Sequence, residues 1–173
     1  MLQAQKQEKD IELWQQVVNN EVAYIQTRQS FFAHCKNRVE ALKQALHSPV
    51  ERGTALRVLD YLPVEERQSL LDDLVDLASV AHADIALCRQ VILSLPKIWL
   101  LSNIEKSAEP LLQAGAEEEY RRLLELYVEL DKDLAERLAR RASQHREPDV
   151  QEVGKIFSVA SDSRVWLQQC RLC

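Results

Sequence analysis

Two copies of one short pattern lie 33 residues apart, and that spacing constrains the fold more than any other feature of the chain. Val50 to Pro63 reads VERGTALRVLDYLP and Ala83 to Pro96 reads ADIALCRQVILSLP. At this offset Glu51 matches Asp84, Val58 matches Val91, Leu59 matches Ile92, Leu62 matches Leu95 and Pro63 matches Pro96. The shared element is an acidic start followed by V-[LI]-x-x-L-P. A weaker third copy follows after about 35 residues, where Leu123, Leu124, Leu126, Val128 and Leu130 form an apolar helix before Asp131. Self-similarity at such a period marks repeated supersecondary units that bury their apolar faces only by stacking on one another.

Composition says what the units are made of. Only three glycines occur, Gly53, Gly115 and Gly154, so the chain lacks the turn signals of a β-rich fold, while Leu, Ala, Glu, Gln and Arg favour helix. The expected fold is all-α. Each first helix is followed by a second candidate: Val64 to Val80, Lys97 to Gln113 and Lys132 to His145. Glu147 to Ala160 begins a fourth pair that finishes with Val165 to Leu172. No GxxxxGK or GxGxxG occurs, which removes nucleotide chemistry of the usual glycine-loop types.

Ahead of the repeats, apolar residues recur at helical intervals. Ile11, Trp14, Val18, Val22 and Ile25 mark one face, and Phe32, Cys35, Val39, Leu42 and Leu46 mark another, out of phase near Gln29. A bend at Thr27 to Ser30, with Ser30 capping a second antiparallel helix, is the favoured reading, and one long helix that absorbs the slip is the alternative. The second stripe is also a possible coiled-coil seam for a homodimer, although packing within the chain is the commoner use of such a stripe. His47-Ser48-Pro49 closes the region, because Pro49 disfavours helix at Ser48 and suits the first turn of the next helix. The expected organisation is one all-helical domain over 1–173, with a helical pair at 1–47 and repeats at 48–173.

The segment Ser48-Pro49-Val50-Glu51-Arg52-Gly53-Thr54-Ala55-Leu56-Arg57-Val58-Leu59 resembles the first helix of a HEAT-type repeat, in which a small or acidic loop precedes a helix with Arg and Ala-Leu at such spacing. The stretch from Glu109-Pro110-Leu111-Leu112 through Tyr120-Arg121-Arg122-Leu123-Leu124 to Leu134-Ala135-Glu136-Arg137-Leu138 and Pro148-Asp149 is similar to C-terminal helical-repeat arms of some large bacterial signalling NTPases. Tyr127 and Pro148 also sit at spacings similar to a tetratricopeptide repeat, but the small residue expected after Leu124 is missing. The HEAT likeness implies a short α-solenoid that serves as a scaffold or sensor arm.

Several residues suit a functional role, and each has a structural one beside it. Arg137, Arg140 and Arg141 share a helical face that suits phosphate or an acidic peptide, yet nearby acids such as Glu117, Glu129 and Glu136 allow internal ion pairing. Trp99 and Trp166 are the aromatic contact candidates, since an aromatic anchors a partner at small entropic cost. Cys170-x-x-Cys173 needs two further ligands to hold a metal. His34, His47, His82 and His145 show no ligand spacing. Glu65, Glu66, Asp72, Asp73 and Asp76 make an acidic helix that could serve a cation, but solvated repeat helices are routinely charged.

No catalytic residue, cofactor or metal is therefore assigned. A net charge of -5 disfavours nucleic acid, and no run reaches the ~20 apolar residues of a membrane span. With a polar N-terminus and four cysteines read as thiols, the expected location is cytoplasmic. The expected function is protein recognition through a helical-repeat surface. The alternatives are a HEAT-like lyase or DNA-repair enzyme, for which Asp72, Asp76, a histidine or Cys88 should converge on one pocket, and a coiled-coil oligomerisation module.

Overall fold

The computed structural model describes residues 2–160, with side chains described for 7–158. Trp166, Cys170, Cys173 and the expected Val165 to Leu172 helix lie outside the described residues. Within them the chain is all-helical, with ten α-helices and no strand. None of these helices is long and apolar enough to cross a membrane. Two compact units are present, divided between Gln44 and Ala45.

In the first unit, α1 (Leu2–His34) runs unbroken through Thr27 to Ser30, so the favoured bend is replaced by one long helix. No proline or glycine interrupts the segment, and the polar side chains bond back into the helix. The Thr27 hydroxyl donates to the Ala23 carbonyl at 2.9 Å, and His34 Nδ1 lies 2.9 Å from the Ser30 carbonyl oxygen. The break comes later, at Cys35–Asn37, before α2 (Arg38–His47). The Phe32 to Leu46 stripe is consequently shared between two helices, and Leu42 and Leu46 are buried.

The second unit contains α3 (Arg52–Leu59), α4 (Val64–Gln68), α5 (Leu71–Ala78), α6 (Ile85–Leu93), α7 (Lys97–Ala114), α8 (Glu117–Leu130), α9 (Lys132–Ser143) and α10 (Pro148–Ala160). The repeated L-P is a helix-to-helix corner: Pro63 and Pro96 occupy the N-caps of α4 and α7 with extended ψ angles of 148° and 117°. Proline suits this corner because it needs no N–H donor there and biases the preceding residue away from helix. The matched positions are buried alike. Leu59 and Ile92 are both fully buried, as are Ala55 and Cys88, and Leu62 and Leu95 seal the corners. Shifted by a further 35 residues, the same positions are Leu123, Leu126, Tyr127 and Leu130, all buried.

Helix α3 packs on α6, α5 packs on α6, α7 and α8, and α8, α9 and α10 pack on one another. The α9/α10 approach depends on Gly154. A Cβ there would stand 2.7 Å from the Ala139 carbonyl oxygen and 2.6 Å from the Ser143 hydroxyl, closer than side-chain carbons come. Buried Ala139 and Ala142 supply small surfaces on the α9 side of the packing. The expected acidic helix, Val64 to Val80, is divided into α4 and α5 by Ser69 and Leu70, where the Ser69 hydroxyl donates to the Glu66 carbonyl at 2.7 Å.

Candidate functional site

Helix α7 presents one face to an open groove and another to a set of ion pairs. The groove is about 600 Å³, and Gln68, Leu71, Asp72, Trp99, Lys106 and Pro110 are among the residues that line it. On α7 Trp99, Lys106 and Pro110 recur at helical intervals of seven and four, so the sequence places them along one side. Opposite them, α4 and α5 contribute Gln68, Leu71 and Asp72. Trp99 is half-buried, whereas its neighbours Ile98 and Leu100 are 85% exposed and fully buried. Its ring is thus partly held by the fold and partly available in the groove. The Trp99 carbonyl accepts from Asn103 Nδ2 at 2.7 Å, which ties a polar groove residue to the helix backbone.

The other side of α7 meets α9. Arg137 Nε and Nη2 donate to the two Glu105 carboxylate oxygens at 3.1 and 2.9 Å. One helical turn on, Arg141 makes the same two-pronged bond to Glu109. Donation from Arg141, and then from Gln113, holds the Glu109 carboxyl below its ordinary range. The predicted arginine face is accordingly resolved into two paired residues and Arg140, which is exposed and carries no side-chain bond among the described residues. Both pairs span 32 residues in sequence, close to the 33-residue offset of the two L-P patterns. That coincidence is the signal from which Glu105 and Glu109, neither of them a functional candidate on sequence, can be found.

Beneath these pairs lies a small cavity of about 150 Å³ lined by both arginines, both glutamates and Tyr127. Tyr127 is 1% exposed, and its hydroxyl has no hydrogen-bond partner. Burial, reinforced by Glu105, pushes its phenol upward, so the hydroxyl stays neutral. The residue lies 35 positions after Ile92, which itself lies 33 after Leu59, and those two buried positions are filled with carbon alone. A second inter-helix cluster joins α6 to α8. Arg89 donates to the Arg122 carbonyl at 3.1 Å and to Glu125, which Arg122 also contacts.

The remaining candidates serve the fold. Cys88 is fully buried, and its thiol donates to the Leu74 carbonyl at 3.2 Å. Burial pushes that thiol up to about 12, which leaves it unsuited to nucleophilic chemistry near neutral pH. His82 shapes the α5/α6 turn: Nε2 lies 3.0 Å from the Leu77 carbonyl oxygen, and Nδ1 accepts from the Asp84 N–H at 3.1 Å. His47 meets Asp73 at 3.0 Å, and His145 accepts from the Glu147 N–H while its ring lies against Tyr120. Asp72 reaches the groove, but neither Asp76, Cys88 nor a histidine lines it, so the residues of the enzyme alternative do not converge there. Among the described residues no group of three or more His, Cys, Asp or Glu side chains is placed to hold a metal ion. Compared with protein-family models, curated proteins and solved structures, the chain matches none.

Proposed function

We propose that this chain is a cytoplasmic, HEAT-like repeat module that recognises a protein partner by taking an extended segment of it into the groove along α7. The observation that carries the reading is the half-buried Trp99 in an open groove of about 600 Å³. A large ring already restrained by its own helix loses little conformational freedom on binding, and its remaining apolar surface gains by being covered. The groove also offers one acid, Asp72, one cation, Lys106, and the polar Gln68 side chain, which suits a mixed polypeptide better than a uniformly apolar ligand.

Support for the repeat assignment comes from the alike burial of positions 33 residues apart and from bonds that join equivalent helices. Arg89 bonds the Arg122 carbonyl 33 residues on, and Arg137 and Arg141 reach 32 residues back. Stacked repeats make such contacts with their nearest neighbours and hold a preformed surface. Arg140 adds an exposed cation for an acidic residue of the partner, while Arg137 and Arg141 would have to exchange Glu105 and Glu109 to take part. Trp166 is retained as a second aromatic contact on sequence grounds.

The test is quantitative capture from native extract with the wild-type chain, Trp99→Ala and Ile98→Ala. The reading expects a saturable protein partner that Trp99→Ala loses by at least about tenfold and Ile98→Ala retains. Equal capture by all three chains removes the groove from the account. Retention of a small molecule or metal with no protein partner removes the recognition reading itself.

A further inference from the structure

We infer that α1 is a self-association helix, and that its apolar stripe is covered by α1 of a second copy running antiparallel. Every residue from 7 to 24 is exposed, including Ile11 at 63%, Trp14 at 66% and Val22 at 48%. Ile11, Trp14, Val18, Val22 and Ile25 follow one another at steps of three and four and form one continuous face. Leu13, Val17 and Tyr24 widen it and are exposed as well. A helix of 33 residues is about 50 Å long. Most helices in proteins owe their stability to a packed apolar face, and this one has its face open.

The area matches a second copy. Seven large apolar residues, each between 36% and 66% exposed, amount to roughly 400–600 Å² per chain when an aromatic side chain spans ~150–250 Å². That is already the size of the largest apolar patch on a typical monomer. Doubled across a pair, and with the flanking polar side chains added, it enters the ~1,200–2,000 Å² range of stable interfaces.

Charge fixes the direction. Within α1, residues 7 to 21 contain Glu8, Asp10, Glu12 and Glu21 against Lys9 alone, whereas residues 22 to 34 contain Arg28 and no acid. A parallel pair sets each half against its own sign. An antiparallel pair centred near the small Ala23 sets Glu12 and Glu21 of each copy on the half of the other that carries Arg28, and brings Trp14 level with Phe32. Opposite potentials across an interface favour that register, and like charges oppose the other.

Sedimentation of the full chain between about 1 and 100 µM tests the inference. The wild type is expected to pass from its 19.9 kDa monomer mass toward twice that value. Trp14→Asp with Val18→Asp should weaken association about 100-fold, with the cooperative melting of the second unit retained because neither residue belongs to the buried core. Glu21→Lys should weaken it by roughly threefold, since the new cation faces the half of the other copy that carries Arg28. In a parallel pair Glu21 faces its own equivalent, so reversing its sign leaves the repulsion unchanged. A monomer at every concentration overturns the inference, as does association that survives the double aspartate variant; an unchanged Glu21→Lys overturns the antiparallel direction.

Discussion

The stretch from Ile11 to Ile25 and the α8–α10 segment carry comparable apolar spacing, yet one is exposed and the other is the core of its unit. In α8 and α9 the apolar positions Leu123, Leu124, Leu126, Leu134 and Leu138 are buried because short corners return the chain onto itself. In α1 no corner occurs before Cys35, and Ile11, Trp14 and Val18 remain exposed. Periodicity therefore specifies a sticky face, while turn chemistry within the next dozen or so residues decides whether the chain covers that face itself. Proline at residues 63 and 96 and the Asp131 side chain, which accepts from the Leu134 N–H at 3.1 Å, do so in the second unit.

The sharpest contrast should come from equivalent truncations in the two regions. Ile92→Ala is expected to cost about 2–5 kcal/mol in chemical denaturation, whereas Val18→Ala at a concentration where the chain is monomeric should change stability by less than about 0.5 kcal/mol. Equal costs would break the comparison. Next in size is Gly154→Val, which drives a Cβ bearing two methyl groups into Ala139 and Ser143 and should cost about 2–3 kcal/mol, measured the same way. A neutral result would mean that α9 and α10 can separate without loss.

Cys88 supplies a pH test confined to the second unit. Its thiol is raised to about 12 in the folded chain, against the ordinary 9.0, so the unfolded state releases its proton first as the pH climbs. Stability contributed by the buried neutral thiol is complete below about pH 9 and declines from there toward pH 12, by at most about 1.4 kcal/mol per pH unit. Thermal melts at pH 8 and pH 10 should show the decline in the wild type and a flatter response in Cys88→Ala. The smallest effect is at Tyr127. Because its buried hydroxyl lacks a partner, Tyr127→Phe should stabilise the chain by about 1 kcal/mol, and a loss of that size would show that the hydroxyl is satisfied in solution.

Much of the architecture was legible because it is written at short range. The two L-P corners, the helix starts near residues 64, 97, 132 and 148, and the burial of Val58, Leu59, Val91 and Ile92 all follow from local pattern. The bend at Thr27 to Ser30 was not legible, since a phase slip in apolar spacing resembles a turn when the slip is simply spread over a long helix. The division of α4 from α5 was hidden for the opposite reason: Ser69 and Leu70 are compatible with helix, and the break rests on a local Ser69 hydroxyl bond to the Glu66 carbonyl.

At the site, Trp99 and Asp72 were both visible as residue types with spare chemistry, but only packing brings them to one groove. Arg137 and Arg141 were visible as a charged face, while their engagement by Glu105 and Glu109 depends on which helices become neighbours. Single-residue features such as the Gly154 contact and the partnerless Tyr127 hydroxyl carry no periodic signal at all. They arise where two helices meet, and a sequence pattern records the helices rather than the meeting.

The contrast between the two regions is tested most directly by hydrogen exchange of the full chain at about 1 µM and 100 µM. The account predicts slow exchange across α8–α10 that is the same at both concentrations, and exchange in α1 that is fast at the lower concentration and slows at the higher. Protection of α1 that is already complete at 1 µM and does not change with concentration would contradict it, because the stripe would then be covered within a single chain.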